Sequence, residues 1–178
     1  MQPATLCYLL KPDEEQVFLI RKKRGLGEGN YLGPGGKVED GETPRECVVR
    51  EVEEEIGVTP RDPEKVGEFE FVFGVPESDA LGGSSERCSD GEESEMFVHV
   101  FRAEEFAGEP EESPEADPGW FDFDDVPYDR MWEDDRYWMP HLFDGETFAG
   151  EFVFDSEGEE LREWSVETGV RKVEAAEF

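Results

Sequence analysis

Glu51, Glu54 and Glu55 fall at i, i+3 and i+4, the spacing that puts three carboxylates on one face of a helix. Crowded there, they repel one another unless cations join them. All-oxygen ligation suits Mg²⁺ or Mn²⁺, which keep waters and bridge to substrate phosphates. The pattern points to metal-assisted phosphoryl chemistry, in which the ion neutralises phosphate charge and lowers the pKa of a bound water while a glutamate without a full metal load acts as general base. Arg50, beside the triad, is placed to orient one of its carboxylates. The competing reading is a solvated helix face, which is what most Glu runs are.

Chemistry of this kind needs a rigid support, and the flanking sequence supplies one. Thr43 to Ile56 has a helix's punctuation: Thr43 as N-cap, Pro44 at the first helical position, Glu46 completing a capping box, and Gly57 at the end. Upstream, Gly33, Gly35, Gly36 and Gly41 make a tight loop whose backbone, with that of Lys37, can approach a ligand or metal closely. Ala4 to Leu10 and Val17 to Arg21 flank a polar KPDEEQ turn and read as a hairpin. Further strands are expected at Phe69 to Val75, Met96 to Phe101, Trp120 to Phe123, Phe148 to Phe154 and Leu161 to Val166. Short helices are expected after Val126 and near Arg136 to Phe143. One long helix and a short one around mixed strands make an α/β sandwich. Glu77 to Ser94 and Gly108 to Gly119 read as mobile loops.

The 178 residues suit a single domain spanning 1–178. With 48 acidic and 17 basic residues the net charge is −31, which disfavours binding to polymeric nucleic acid. So acidic a chain is usually disordered, but 14 Phe and four Trp in periodic segments contradict that here. The composition instead resembles that of proteins from salt-accumulating halophiles. No apolar run approaches a membrane span and no secretory signal is evident, so a cytoplasmic protein is expected; a monomer is expected as well. Cys7, Cys47 and Cys88 have no C-x-x-C spacing and read as reduced thiols rather than a disulfide framework or zinc site.

From Gly36 to Val58 the chain fits G-x5-E-x7-R-E-U-x-E-E-x-G-U, where U is a bulky aliphatic, at Gly36, Glu42, Arg50, Glu51, Val52, Glu54, Glu55, Gly57 and Val58. This resembles the Nudix box of hydrolases acting on nucleoside diphosphates linked to another group. Beyond the box, Arg21 to Thr43, FVHVF at Phe97 to Phe101, and Pro118 to Pro140 are similar to the oxidised-purine nucleoside triphosphatases of that superfamily, which remove 8-oxo-dGTP from nucleotide pools.

The resemblance implies a Nudix-type α/β/α sandwich with a mixed sheet and one catalytic box helix, a Mg²⁺ (or Mn²⁺) cofactor, and a small-molecule nucleotide substrate. It implies metal ligands at Gly35, Glu51, Glu54, Glu55 and Glu115. It also places Trp132, Asp134 and Asp135 in a base pocket, the ring stacking on a purine and the two carboxyls offering donor and acceptor to its edge. Thr5, Phe71 and Met96 would line that pocket, with Lys22 near it or the phosphates and Gly36 and Lys37 along the substrate. Alternative readings are that Trp132 and Trp138 are core aromatics, that Asp134 caps the following helix, and that Thr5, Phe71 and Met96 are ordinary strand residues. His99 and His141 read as structural.

Two positions depart from the resembled pattern. Leu32 stands where relatives specific for oxidised guanine carry Asn, and Leu26 where an aromatic is expected. Losing a polar reader weakens the expected preference for 8-oxo-dGTP. Other outcomes compatible with the box are hydrolysis of ADP-ribose or dinucleoside polyphosphates, and a non-catalytic nucleotide-binding module on the same fold.

Overall fold

The computed structural model describes residues 3–23, 28–74, 94–114, 116–155 and 160–169. Ten strands and two α-helices follow in the order β1 (Pro3–Lys11), β2 (Gln16–Lys22), β3 (Tyr31–Leu32), α1 (Pro44–Ile56), β4 (Thr59–Arg61), β5 (Glu64–Phe73), β6 (Ser94–Ala103), β7 (Glu105–Ala107), β8 (Ala116–Asp122), α2 (Asp135–Phe143), β9 (Phe148–Phe154) and β10 (Leu161–Thr168). The main sheet runs β10-β9-β5-β6-β1-β2-β3, with β8 also paired to β2. It is mixed: β1 is parallel to β6, β5 is parallel to β9, and the other pairs are antiparallel.

Alternation along β1 divides the core into two layers. Tyr8 and Leu10 join Phe69, Val98, Trp138, Phe148 and Phe152 on the α2 side. Cys7 and Leu9 join Phe18, Val48, Val52, Ile56 and Phe101 on the α1 side. A helix on each face makes the expected α/β/α sandwich. On the α2 side the filling is aromatic, with Phe69 at 5.0 Å from Trp138, 5.2 Å from Phe152 and 5.4 Å from Phe148 between ring centroids.

The predicted box helix starts and stops at its own signals. Thr43 accepts from the Glu46 N–H, the Glu46 carboxylate accepts from the Thr43 N–H at 2.9 Å, and Gly57 closes the helix at φ 71°. The hairpin turn is a 3-10 turn at Pro12–Glu14. Two readings change. Residues 116–119, expected to be loop, belong to β8, which starts before Trp120 and pairs Ile20 with Pro118; a proline is tolerated there because β8 is an edge strand and needs fewer N–H donors. Upstream of it the chain is tied to the body, since Glu111 N–H donates to the Ile56 carbonyl (2.9 Å) and Lys23 pairs with Glu112. The other change is the β4/β7 pair, whose three-residue strands are too short to show a periodicity. Of the Glu77 to Ser94 segment, only Ser94 lies within the described residues, where it begins β6.

Where α1 does not cover the sheet, Glu68, Glu70, Glu151 and Glu167 line a shallow concavity of about 320 Å³. Glu70 and Glu151 are register partners on adjacent strands, an arrangement of like charges that costs stability. With a net charge of −31, screening should raise the thermal midpoint steeply as KCl goes from millimolar to molar. A midpoint that does not move across that range would remove the halophile reading. Among the described residues no helix is long and apolar enough to cross a membrane.

Candidate active site

The glycine-rich loop is laid alongside β1 by backbone bonds. Cys7 N–H donates to the Pro34 carbonyl (2.7 Å), Thr5 N–H to Gly36 (2.8 Å), and Val38 N–H to Pro3 (2.9 Å). The approach leaves no room for a side chain at Gly35 or Gly36. A Cβ on Gly35 would lie 1.9 Å from the Thr5 carbonyl oxygen, and one on Gly36 would lie 2.4 Å from the Glu51 carboxyl. The Glu51 side chain thus fills the space that the missing Gly36 side chain leaves.

Arg50 binds this loop to the helix. Its Nε and Nη2 donate to the two Glu42 oxygens at 2.7 and 3.0 Å, and Nη2 also donates to the Lys37 carbonyl at 3.2 Å. Nη1 donates to Glu51 at 2.8 Å and to Glu54 at 3.3 Å. The Arg50 hydrogen bond pulls the Glu42 carboxyl down to about 2. Glu51 moves the other way: burial raises it above the ordinary carboxylate range, outweighing the pull of Arg50. Glu55 is 9% exposed, whereas Glu54 is exposed. Among the described residues no three His, Cys, Asp or Glu side chains converge as a ready ion cage. Arg50 stands between Glu51 and Glu54 instead. The donor set still suits a hard cation, because Glu51, Glu54, Glu55 and the Gly35 carbonyl offer only oxygen.

A second group of residues lies on the α2 side. Trp132, Phe71 and Met96 are half-buried and pack against the same aromatic core. Trp132 sits edge-on to Phe154 (5.8 Å) and Phe73 (6.3 Å), and Phe71 is the register partner of Met96. Beside them Asp134 and Asp135 are 3% and 5% exposed. Asp134 occupies the N-cap position of α2 but its side chain makes no capping bond; its Oδ2 accepts from the Trp138 indole N–H at 3.1 Å. Burial pushes the Asp134 carboxyl up to about 7, and burial together with Asp134 pushes Asp135 well above its ordinary range. Near neutrality such a pair holds a proton and presents both a donor and an acceptor.

Other predicted site residues fall elsewhere. The Thr5 side chain faces α1, with its hydroxyl 3.3 Å from the Cys47 sulfur and from the Gly36 carbonyl, so it supports the loop rather than joining Phe71 and Met96. The reason is parity: on β1 Thr5 shares its face with Cys7, not with Tyr8. Leu32, register partner of Ile20, likewise packs into the α1-side core. Lys22 is half-buried at the end of β2, and Lys37 is exposed. Glu115 and Leu26 lie outside the described residues. His99 is buried in β6, and burial with the nearby Lys65 lowers it to about 4; His141 meets Glu146 at 2.8 Å. Sequence reasoning missed Glu42 as the anchor of Arg50, because pattern matching recorded its place and not its partner. It also missed Tyr8, which reaches Asp134 and Asp135 only through the fold.

Comparison with known proteins accords with this layout. Residues 1–142 match the NUDIX domain family. The chain is 39% identical over 150 residues to the oxidized purine nucleoside triphosphate hydrolase of Danio rerio, covering 84% of this chain and 85% of the relative. It is 38% identical over 154 residues to the Mus musculus protein of the same name, covering 86% of each. The crystal structure of the mutator MutT protein from Bacillus halodurans superposes with a TM-score of 0.76 at 30% identity, covering 94% of this chain and 98% of that one. With the family match running through the loop, α1 and the Asp134/Asp135 pair, this chain belongs to the Nudix hydrolases, enzymes that cleave acid anhydrides.

Proposed function

We propose that the protein is a Mg²⁺-dependent (or Mn²⁺-dependent) nucleoside triphosphate diphosphohydrolase that releases a nucleoside monophosphate and pyrophosphate, and that its substrates are oxidised or otherwise modified purine nucleotides. The observation that carries this reading is the course of the Gly33 to Gly36 run. At one end Gly33 lies against Tyr8, next to Trp138 and the Asp134/Asp135 pair; at the other, Gly36 lies against Glu51. Three residues of extended chain span about 10 Å, so one loop joins a buried aromatic cluster that carries the Asp pair to the carboxylates of α1. A nucleotide has the matching polarity, with a flat base at one end and an anhydride at the other. The names of the curated relatives support the same assignment.

Glu51, Glu54, Glu55 and the Gly35 carbonyl would hold the metal, with Glu115 a further candidate ligand. Bound there, the ion would supply charge neutralisation at the phosphates and an acidified water. Arg50 holds Glu51 in register with the loop, and a box glutamate takes the proton of the attacking water. Lys37, next to Gly36, would face the phosphates, and Lys22 would lie near the base pocket or the phosphates. Trp132, Phe71 and Met96 offer apolar surface to the base, while Asp134 and Asp135 read its edge. Residues 1–178 are taken as one catalytic domain.

The test is a panel of normal and oxidised dNTPs, ADP-ribose and dinucleoside polyphosphates, assayed with Mg²⁺ at molar KCl on wild type and Asp134→Asn. Wild type should favour purine triphosphates. Asp134→Asn should reorder base preference by roughly 1–3 kcal/mol per lost bond. Fastest turnover of ADP-ribose, or a preference untouched by Asp134→Asn, would contradict this assignment.

A further inference from the structure

Tyr8 lies in the middle of β1 with no exposed surface. Its ring meets Trp138 edge-on, 5.3 Å between centroids at 70°, and Trp138 is the side chain whose indole N–H holds Asp134. On its other side the backbone comes so close that a Cβ on Gly33 would lie 2.9 Å from the Tyr8 Cε1 and Cζ atoms. The phenol thus sits between the substrate loop and the Asp pair. Among the described residues no acceptor meets its O–H, and only the Gly33 backbone lies beside its oxygen. A buried hydroxyl left unmet destabilises the protein, and phenylalanine would fill the same space without that penalty.

We infer that Tyr8 is a specificity residue of the base pocket, its O–H donating to an acceptor on the purine edge that the Asp134/Asp135 pair reads. The inference rests on the base-pocket reading proposed above. Burial, reinforced by Asp135 and Asp134, keeps the phenol protonated far above neutral pH, so its O–H is available to donate, while the Gly33 backbone beside its oxygen acts in the opposite direction. The Asp pair and Tyr8 together then present two donors and an acceptor, enough to distinguish an oxygen-bearing purine edge from one that is not. Leu32 has no polar group to contribute and packs on the opposite face.

Tyr8→Phe is the test, read as the ratio of kcat/KM for dGTP to that for dTTP, with metal-free binding of dGMP by calorimetry as a second measurement. The ratio should fall about tenfold, dGMP should bind more weakly, and the thermal midpoint should stay level or rise as the unmet hydroxyl disappears. An unchanged ratio with unchanged dGMP affinity overturns the role of Tyr8 while leaving the pocket standing, provided Asp134→Asn still shifts base preference. Equal losses for dGTP and dTTP with a lowered midpoint would mark Tyr8 as structural and overturn the inference. If wild type shows no base preference at all, the pocket reading and this inference fall together.

Discussion

Glu51→Gln is expected to lower turnover of a nucleoside triphosphate by roughly 10²-fold or more while leaving the fold intact, because a neutral amide is a poor Mg²⁺ ligand and a feeble base. Glu51 lies where the loop and the helix meet: the space at Gly36 admits its carboxyl, Arg50 fixes one of its oxygens at 2.8 Å, and burial raises its affinity for a proton. Glu55→Gln should behave similarly, since its carboxylate is nearly buried on the same helix face. The informative control is Glu53, one residue from Glu54 in the same acidic run. Its side chain accepts from the Thr59 hydroxyl at 2.8 Å, away from the loop. Glu53→Gln should therefore leave turnover near that of wild type. Steady-state rates at saturating Mg²⁺, with circular dichroism to confirm folding, decide the matter. Near-normal turnover in a folded Glu51→Gln protein would defeat the assignment of these carboxylates.

Gly36→Ala should also cost roughly 10²-fold, through displacement rather than lost chemistry, since a misplacement of about 1 Å at a reacting group has that effect. The added methyl would lie 2.4 Å from the Glu51 carboxyl, which must swing away. What it strikes is the far end of a flexible side chain, so the thermal midpoint should change little. Gly35→Ala provides the contrast. There the obstacle is the Thr5 backbone carbonyl at 1.9 Å, and the loop would have to leave β1. A Gly36→Ala enzyme of full activity would show that Glu51 need not occupy that space.

Box, helix and sandwich were legible in the sequence because their signals are local. Thr43, Pro44, Glu46 and Gly57 state the ends of α1 within the segment itself, and alternating Phe69, Phe71 and Phe73 state the buried face of β5. The placement of Thr5 and Leu32 was not legible. Thr5 sits on a strand whose two faces are both buried, so hydrophobicity does not show which way it points, and Leu32 ends a two-residue strand too short to show an alternation. Tyr8 and Trp138 are adjacent only once β1 and α2 have packed, and the burial that raises Asp134 and Asp135 comes from the same long-range packing. β8 was read too short because Pro118 and Gly119 resemble loop until β2 is there to pair with them.

Product identification bears most directly on the central claim. A purine nucleoside triphosphate incubated with the protein and Mg²⁺ at molar KCl should give monophosphate and pyrophosphate in equal amounts, resolved by anion exchange, with none formed in EDTA and roughly 10²-fold less formed by Glu51→Gln. Diphosphate and inorganic phosphate as the products, or equal turnover in EDTA, would contradict it.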